Sequence, residues 1–199
     1  MLQKLLGVEI VSIMIKNITN VNFIPKNPTN TAQALSLICK KMIFAVMVKG
    51  ENRMTLTEVH QDLFTVPKDY ILVHCISADF ALGAGIAKEF AKRGVKEWLQ
   101  NYSLITDRKV GKCITTFETG WVAEFNLITK EKYWQKPTYK TLRMSLEDAK
   151  RTGELVDKKI KLAMSRIGCG LDRLQWDKVK QIIEKVFANT DVEIMVCSI

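Results

Sequence analysis

From residue 55 onward, the sequence predicts a layered α/β/α domain. Strand-like and helix-like segments alternate along it, an order typical of helices packed on the two faces of a sheet. Two apolar, strand-like runs lead into glycine-containing turns, and a helical pattern follows each turn. Because ligands in layered α/β domains bind beyond the carboxyl ends of the strands, these two turns mark the predicted binding edge.

Two strands and two helices are predicted in the first part of this domain. Residues 55–60 alternate as a half-buried strand does, and residues 70–76 form a nearly continuous apolar run typical of a buried strand. A helical pattern covers residues 84–93, and Gly94 marks its end. A shorter helix is predicted for residues 95–102.

The second part is predicted to contain four strands and two helices. The strands are predicted at residues 110–117, 122–128, 160–164 and 192–196. One helix begins at Pro137 and has an apolar face formed by Tyr139, Leu142, Leu146 and Ala149. The last helix has a complete apolar stripe at helical spacing, formed by Val179, Ile182, Ile183, Val186 and Phe187.

Composition limits the class of protein. The chain has 199 residues, 47% of them hydrophobic, and no apolar stretch approaches the roughly 20 residues needed to cross a bilayer. Glu9 interrupts the apolar start and no small-residue cleavage site follows it, so a cytoplasmic location without a membrane partner is expected. A monomer is the default expectation.

The cysteines and histidines do not suggest a metal or a cofactor. Five cysteines are scattered without a Cys-x-x-Cys spacing, which is typical of reduced thiols, and the two histidines are His60 and His74. His74 lies beside Cys75 in a strand that enters the core, so a packed histidine is expected there rather than a catalytic base. We therefore predict no metal site and no cofactor.

Residues 1–54 are interpreted as an N-terminal extension of unknown structure, followed by the domain at residues 55–199. The extension carries seven basic and two acidic residues, so it holds about +5 of the net charge of +9. The remaining positive charge is modest and suits an anionic substrate. In a bacterial gene, the codons for residues 49–51 can contain a ribosome-binding sequence, which makes Met54 an alternative start.

Two segments have the residue types of anion-binding turns. The first is residues 77–85 and the second is residues 166–176. Each follows a predicted buried strand and precedes a helical pattern, an arrangement that presents backbone N–H groups to a bound anion. A pair of such turns in one small domain indicates a ligand with a diphosphate held between them.

These segments resemble the macrodomain family, and within it the single-domain enzymes that remove terminal ADP-ribose from proteins. The matching segments are residues 74–77, 83–87, 127–130, 136–139, 166–176 and 186–187. The resemblance covers the chain from about Arg53 to Ile199, and residues 166–176 are specific to this branch of the family. It implies a three-layer α/β/α macrodomain with a central mixed sheet.

The resemblance also implies a reaction. Similar enzymes hydrolyse mono-ADP-ribose from glutamate or aspartate side chains, and the resemblance extends to deacylation of O-acyl-ADP-ribose. The expected partners are ADP-ribose and ADP-ribosylated proteins. In similar enzymes a lysine at the position of Lys130 attacks the anomeric carbon of the distal ribose. An aspartate at the position of Asp172 accepts a proton and helps to release the product.

A set of substrate-binding residues follows from the same resemblance. Similar proteins bind adenine and its ribose near Asp62, Leu63 and Ile199. The distal ribose and its phosphate are expected at Ser77, Gly83, Ala84, Gly85 and Ile86. The diphosphate is expected at Arg166, Ile167, Gly168, Cys169, Gly170 and Leu171.

The candidate residues suit this chemistry, although each also has a plainer interpretation. An amine adds readily to the masked aldehyde of ribose once it has lost its proton, and partial burial favours the neutral form. A carboxylate can accept that proton. The plainer interpretations are a solvated lysine for Lys130, a helix N-terminal carboxylate for Asp172, and the turn that ends a strand for Asp62.

Two other functions stay open. A module could bind ADP-ribose without hydrolysing it, but such a reader needs neither Lys130 nor Asp172. An antitoxin-like macrodomain would remove ADP-ribose from DNA, so DNA is an alternative partner as the modified substrate. Two positions depart from the family pattern, because Ser165 replaces an expected proline and Cys197 replaces a tyrosine expected beside the adenine.

Overall fold

A six-stranded mixed sheet forms the centre of the domain in the computed structural model of the chain. The structure describes residues 54–101, 108–154 and 160–199. All of them belong to one compact unit, Glu51–Ile199. Residues 1–53, which make up nearly all of the predicted extension, lie outside the described residues.

The sheet of the described residues has one antiparallel strand at its edge. In chain order the strands are β1 (Thr55–His60), β2 (Ile71–Ser77), β3 (Cys113–Thr116), β4 (Ala123–Lys130), β5 (Ile160–Met164) and β6 (Val192–Ser198). Their order across the sheet is β1-β6-β5-β2-β4-β3. All neighbours pair in parallel except β3, which runs antiparallel to β4. The predicted mixed sheet is confirmed.

Helices cover both faces of this sheet, which confirms the three predicted layers. In the described part of the chain they are α1 (Gly85–Ala91), α2 (Val95–Asn101), α3 (Tyr139–Glu154) and α4 (Trp176–Phe187), with a short 3₁₀ turn at Leu63–Thr65. α3 and α4 lie on one face, and α1 and α2 lie on the other. None of the helices in the described ranges is long and apolar enough to span a bilayer.

Alternating side chains of the central strands supply both halves of the core. In β2, Val73 packs with the apolar faces of α3 and α4, whereas Leu72 and Ile76 pack with α1 and α2. In β4, Leu127 and Ile128 divide between the two faces in the same way. Because both faces are covered, the ends of β2 and β4 are firm positions from which the following loops start.

Several strand boundaries differ from the predictions, most of all in β3 and β4, while β2 lies one residue later and β6 continues to Ser198. β3 begins at Cys113 rather than at residue 110, because Gly111 has a φ of +94° and lies in a turn where the Lys112 N–H donates to the Lys109 carbonyl. β4 continues beyond the predicted residue 128 and ends at Lys130. Lys130 therefore belongs to the strand itself, and its backbone is held by the sheet.

His74 is packed in the core, as predicted. Its Nε2 lies 2.7 Å from Asn126 Oδ1, and its ring stacks on Phe90 with 3.8 Å between ring centroids. Because Asn126 Nδ2 donates to the Ile114 carbonyl, the Asn126 oxygen is the acceptor and His74 Nε2 carries the proton. Burial lowers the pKa of His74 to about 4, so the folded protein holds this ring neutral.

We expect acid to destabilise the fold through His74. As the pH falls from the ordinary histidine pKa of 6.5 toward 4, the unfolded chain takes up a proton at this position and the folded protein does not. The free energy of unfolding therefore decreases, by at most about 3 kcal/mol from this group. Urea unfolding of wild type and His74→Gln across this pH range measures the effect.

In His74→Gln, the unfolding free energy is expected to depend less steeply on pH, by up to the equivalent of one bound proton. His60→Gln, a substitution of the exposed histidine, is the matched control. Equal slopes in wild type and His74→Gln would contradict the prediction.

Candidate active site

Loops from one edge of the sheet surround a cavity of about 960 Å³. β2, β4, β5 and β6 point in the same direction, so their carboxyl ends lie at the same edge. The loops after β2 and β5 contain the two predicted anion-binding turns, and both turns line the cavity. The residues at the end of β6 complete the wall.

Most of the residues predicted to bind substrate line this cavity. They are Ser77, Gly83, Ala84, Gly85, Ile86, Arg166, Ile167, Gly168, Cys169, Gly170, Leu171 and Ile199. The two predicted catalytic residues, Lys130 and Asp172, line it as well. The fold thus brings candidate residues from four separate segments to one place, and their contact with a ligand stays a prediction.

Asp62 and Leu63 lie outside the cavity wall. Leu63 is buried in the core with Phe90, and Asp62 begins the 3₁₀ turn by accepting a hydrogen bond from the Phe64 N–H at 3.0 Å. The Asp62 charge adds to the burial that raises the pKa of Cys197, a residue of the cavity wall. The structure does not bring these two residues to the wall, and their part in adenine binding stays a prediction.

Lys130 and Asp172 form an ion pair in the cavity, with 2.6 Å between Nζ and Oδ1. Both side chains are 14% exposed. A register shift in the pairing of β2 with β4 brings Lys130 opposite Ser77. The Ala78 N–H donates to the Lys130 carbonyl at 2.9 Å, which fixes the end of the strand. An amine and a carboxylate from distant segments therefore share one partly buried site.

The cysteines of the cavity wall are neutral thiols. Burial raises the pKa of Cys75 to about 12, and the Asp172 carboxylate adds to this effect. Burial also raises the pKa of Cys169 and Cys197. Because the thiolate is the nucleophilic form of cysteine, these thiols are weak candidate nucleophiles. Within the described residues, no group of histidine, cysteine and carboxylate side chains could hold a metal ion.

The turn after β2 has a strained backbone that buried side chains hold in place. Phe80 and Leu82 have φ angles of +51° and +42°, which residues other than glycine rarely adopt. Both side chains are buried in the core. Ser77 Oγ donates to Asp79 at 2.5 Å, and Asp79 also accepts from the Tyr133 N–H at 3.2 Å. The core and these bonds together maintain the shape of the turn.

The turn after β5 requires glycine at one position. Gly168 has a φ of +70°, and Leu174 Cδ1 lies 2.9 Å from the place that a Cβ would occupy. The Leu174 N–H donates to the Gly168 carbonyl at 2.9 Å, and the Cys169 N–H donates to the Arg166 carbonyl at 3.0 Å. The buried side chain of Ile167 anchors the turn in the core.

Glu58 joins the start of this turn to β1 and α4. Its carboxylate lies 3.1 Å from the Arg166 guanidinium and 2.8 Å from the Lys180 ammonium, and it accepts a hydrogen bond from Trp176 Nε1 at 3.1 Å. These partners, with Lys180 first, hold the pKa of Glu58 below its usual value. The positive charge of Arg166 is therefore partly neutralised by Glu58.

Solved structures show that this architecture is the macrodomain fold. The macrodomain of Mycobacterium tuberculosis DarG superposes with a TM-score of 0.61 at 21% identity. The match covers 74% of this chain and 99% of that one. At this level of identity the likeness concerns the fold alone.

Sequence relatives decide the family. The ADP-ribose glycohydrolase OARD1 of Bos taurus is 46% identical over 143 residues, which are 71% of this chain and 90% of that protein. The chain belongs to the macrodomain ADP-ribose glycohydrolase family. Membership makes it a hydrolase. OARD1 of Homo sapiens is 44% identical over 143 residues, with the same coverage. No protein-family model matches the chain.

In this glycohydrolase, some cavity residues were not among the predicted site residues. Tyr133, Lys136 and Trp176 line the cavity. Tyr133 and its neighbour Trp134 are 63% and 64% exposed, with their rings edge to face at 4.9 Å. The family resemblance over residues 136–139 was the sequence feature that could have identified Lys136 as a cavity residue, because a lysine in a loop has no periodic pattern.

We expect Gly168→Ala to destabilise this macrodomain by about 1–2 kcal/mol, because a side chain is disfavoured in the left-handed backbone region and Leu174 must move. Gly170→Ala is the matched control. A Cβ there meets nothing within 4 Å, so its effect stays within about 0.5 kcal/mol. Urea unfolding of both variants measures the difference, and an equal loss in both would refute the assignment of strain to Gly168.

Proposed function

We propose that the protein removes mono-ADP-ribose from glutamate or aspartate side chains of modified proteins, with Lys130 as the nucleophile and Asp172 as the proton acceptor. The observation that carries the proposal is the 2.6 Å contact between these two side chains, inside a cavity walled by two glycine turns. The similarity to proteins named ADP-ribose glycohydrolase supports the same class of reaction.

The cavity suits a nucleotide with a diphosphate. Its volume of about 960 Å³ lies at the upper end of the range of roughly 300–1,000 Å³ common for ligand sites. Glycines in both turns let a ligand approach the backbone N–H groups closely. In our proposal the diphosphate lies between the two turns, and the distal ribose lies against Lys130.

The first chemical step begins with a proton transfer. Lys130 must lose a proton before its nitrogen can attack, and Asp172 Oδ1 lies within hydrogen-bonding distance to accept it. The nitrogen lone pair then forms a bond with the anomeric carbon, while the bond from that carbon to the ester oxygen of the modified side chain breaks. The side chain leaves as a carboxylate anion, so it needs no proton donor.

Water completes the reaction. The lysine–ribose adduct opens to an imine, water adds to the imine carbon, and the bond from carbon to Nζ breaks. Lys130 recovers its proton from Asp172. One water is consumed, and ADP-ribose, a free carboxylate and one proton released to solvent are formed. Holding the ribose against the amine lowers the barrier, because the entropy of encounter is lost on binding rather than in the chemical step.

Two further substrates follow from the same site. An O-acyl-ADP-ribose that carries its acyl group on the anomeric oxygen has the same bond as the glutamyl ester, so the proposal includes its deacylation. ADP-ribose linked to DNA is the second candidate substrate. Tyr133 and Trp134 favour it, because exposed aromatic rings beside the cavity can stack on an unpaired base.

An ADP-ribose release assay tests the proposal. Wild type, Lys130→Arg and Asp172→Asn are incubated with a glutamate-linked ADP-ribosyl protein and, separately, with ADP-ribosylated DNA. We expect wild type to release ADP-ribose from the protein and both variants to be slower by about 10²–10⁴-fold. Arginine keeps the positive charge but cannot be deprotonated, so Lys130→Arg separates the nucleophile from the ion pair.

Lys140→Arg is the matched control, since Lys140 is exposed on α3, and it is expected to keep full activity. Calorimetry with ADP-ribose checks that the inactive variants still fold and bind. Binding without release by wild type would contradict the enzyme and favour a reader module. Release from DNA alone would favour the second candidate substrate.

A further inference from the structure

The Asp172 turn is contacted from the connection between β4 and α3 and from the first residue of α3. Lys136 Nζ donates a hydrogen bond to the Leu171 carbonyl at 2.5 Å. The Gln175 N–H donates to Tyr139 Oη at 3.1 Å. Leu171 directly precedes Asp172 in the sequence, and Gln175 follows shortly after it. The two bonds therefore enclose the carboxylate residue from both sides.

These two bonds come from a stiff segment. Pro137 is buried, and a proline restricts the residue before it, here Lys136, to an extended backbone. The Thr138 N–H donates to Thr141 Oγ1 at 3.0 Å, and the Thr141 N–H donates to Thr138 Oγ1 at 3.1 Å. These bonds fix the start of α3. Tyr139 packs its ring against the core. The same segment begins at the end of β4, directly after Lys130.

The turn around Asp172 contains a residue with an unfavourable backbone conformation and an exposed apolar side chain. Arg173, the residue after Asp172, has a φ of +61°, a left-handed conformation that costs a residue with a side chain about 1–2 kcal/mol. Leu171 is 65% exposed, so its side chain anchors the turn weakly. Within the turn the Arg173 N–H donates to the Gly170 carbonyl at 3.1 Å. Contacts from outside the turn therefore add to the anchoring by Ile167 and help to keep Asp172 in place.

We infer that Lys136 and Tyr139 are positioning residues, which hold the backbone on both sides of Asp172 and thereby keep its carboxylate against Lys130. The inference rests on the proposed function and extends it to residues that act through the backbone. The β4–α3 connection thus links the strand that carries Lys130 to the turn that carries Asp172.

Steady-state kinetics of Lys136→Met and Tyr139→Phe test the inference. We expect kcat to fall about 10–100-fold for Lys136→Met, because misplacing a catalytic group by about 1 Å has an effect of this size. A smaller loss, about 3–10-fold, is expected for Tyr139→Phe, which keeps the packed ring. KM and the Kd for ADP-ribose are expected to stay within about twofold, because the bound groups are unchanged.

Two further variants separate positioning from a general structural role. Lys136→Arg keeps a donor and is expected to restore most of kcat, and Lys140→Met, on the exposed surface of α3, is expected to match wild type. In an Asp172→Asn background, Lys136→Met is expected to change the single-turnover rate by less than about twofold, because it acts through the missing carboxylate. If the rate losses caused by Lys136→Met and by Asp172→Asn multiply in the double variant, the inference is wrong.

A raised KM or Kd with unchanged kcat would also overturn it, because Lys136 would then be a binding residue. A crystal structure of the Lys136→Met, Tyr139→Phe double variant tests the geometry without any assay. We expect the Lys130 and Asp172 side chains to move out of hydrogen-bonding distance, and an unchanged 2.6 Å contact would refute the inference. An inactive wild type would instead refute the proposed function, since this crystallographic test does not depend on turnover.

Discussion

The ion pair between Lys130 and Asp172 is the interaction on which the site depends. Two partly buried charges are tolerated only when each compensates the other, and removal of one leaves the other unpaired. The strand end and the turn must therefore stay within hydrogen-bonding distance. β4 is covered on both faces and holds Lys130 firmly, whereas Asp172 lies in a turn without regular secondary structure. The hydrogen bonds from Lys136 and Tyr139 to this turn add to its stability.

Both cavity turns combine strained backbone with buried anchors. In the first turn Phe80 and Leu82 have left-handed backbones and side chains in the core. In the second turn Gly168 accommodates Leu174. Such a backbone persists only where its surroundings determine its shape. A wall of this kind is already formed before the ligand arrives, so little binding energy is lost in ordering it.

The sequence predicted the fold better than the details of the site. β1 and β5 have the predicted bounds, because apolar patterns report burial. β3 is shorter than predicted because Gly111 lies in a turn, although the Val110 side chain before it still packs against the core. Family resemblance pointed to Lys130 and Asp172, but no sequence pattern reported their ion pair or the register shift that places Lys130 opposite Ser77. The bonds of Lys136 and Tyr139 join residues 35 and 36 positions apart, which no local pattern reports.

The protonated thiols of Cys75, Cys169 and Cys197 have a consequence for chemical probes of the cavity. Maleimides and peroxide react with thiolates, and burial disfavours that form at all three positions. An aldehyde carried by a nucleotide-like scaffold meets a primary amine at Lys130 instead. A covalent inhibitor of this cavity is therefore better designed around imine formation than around cysteine alkylation.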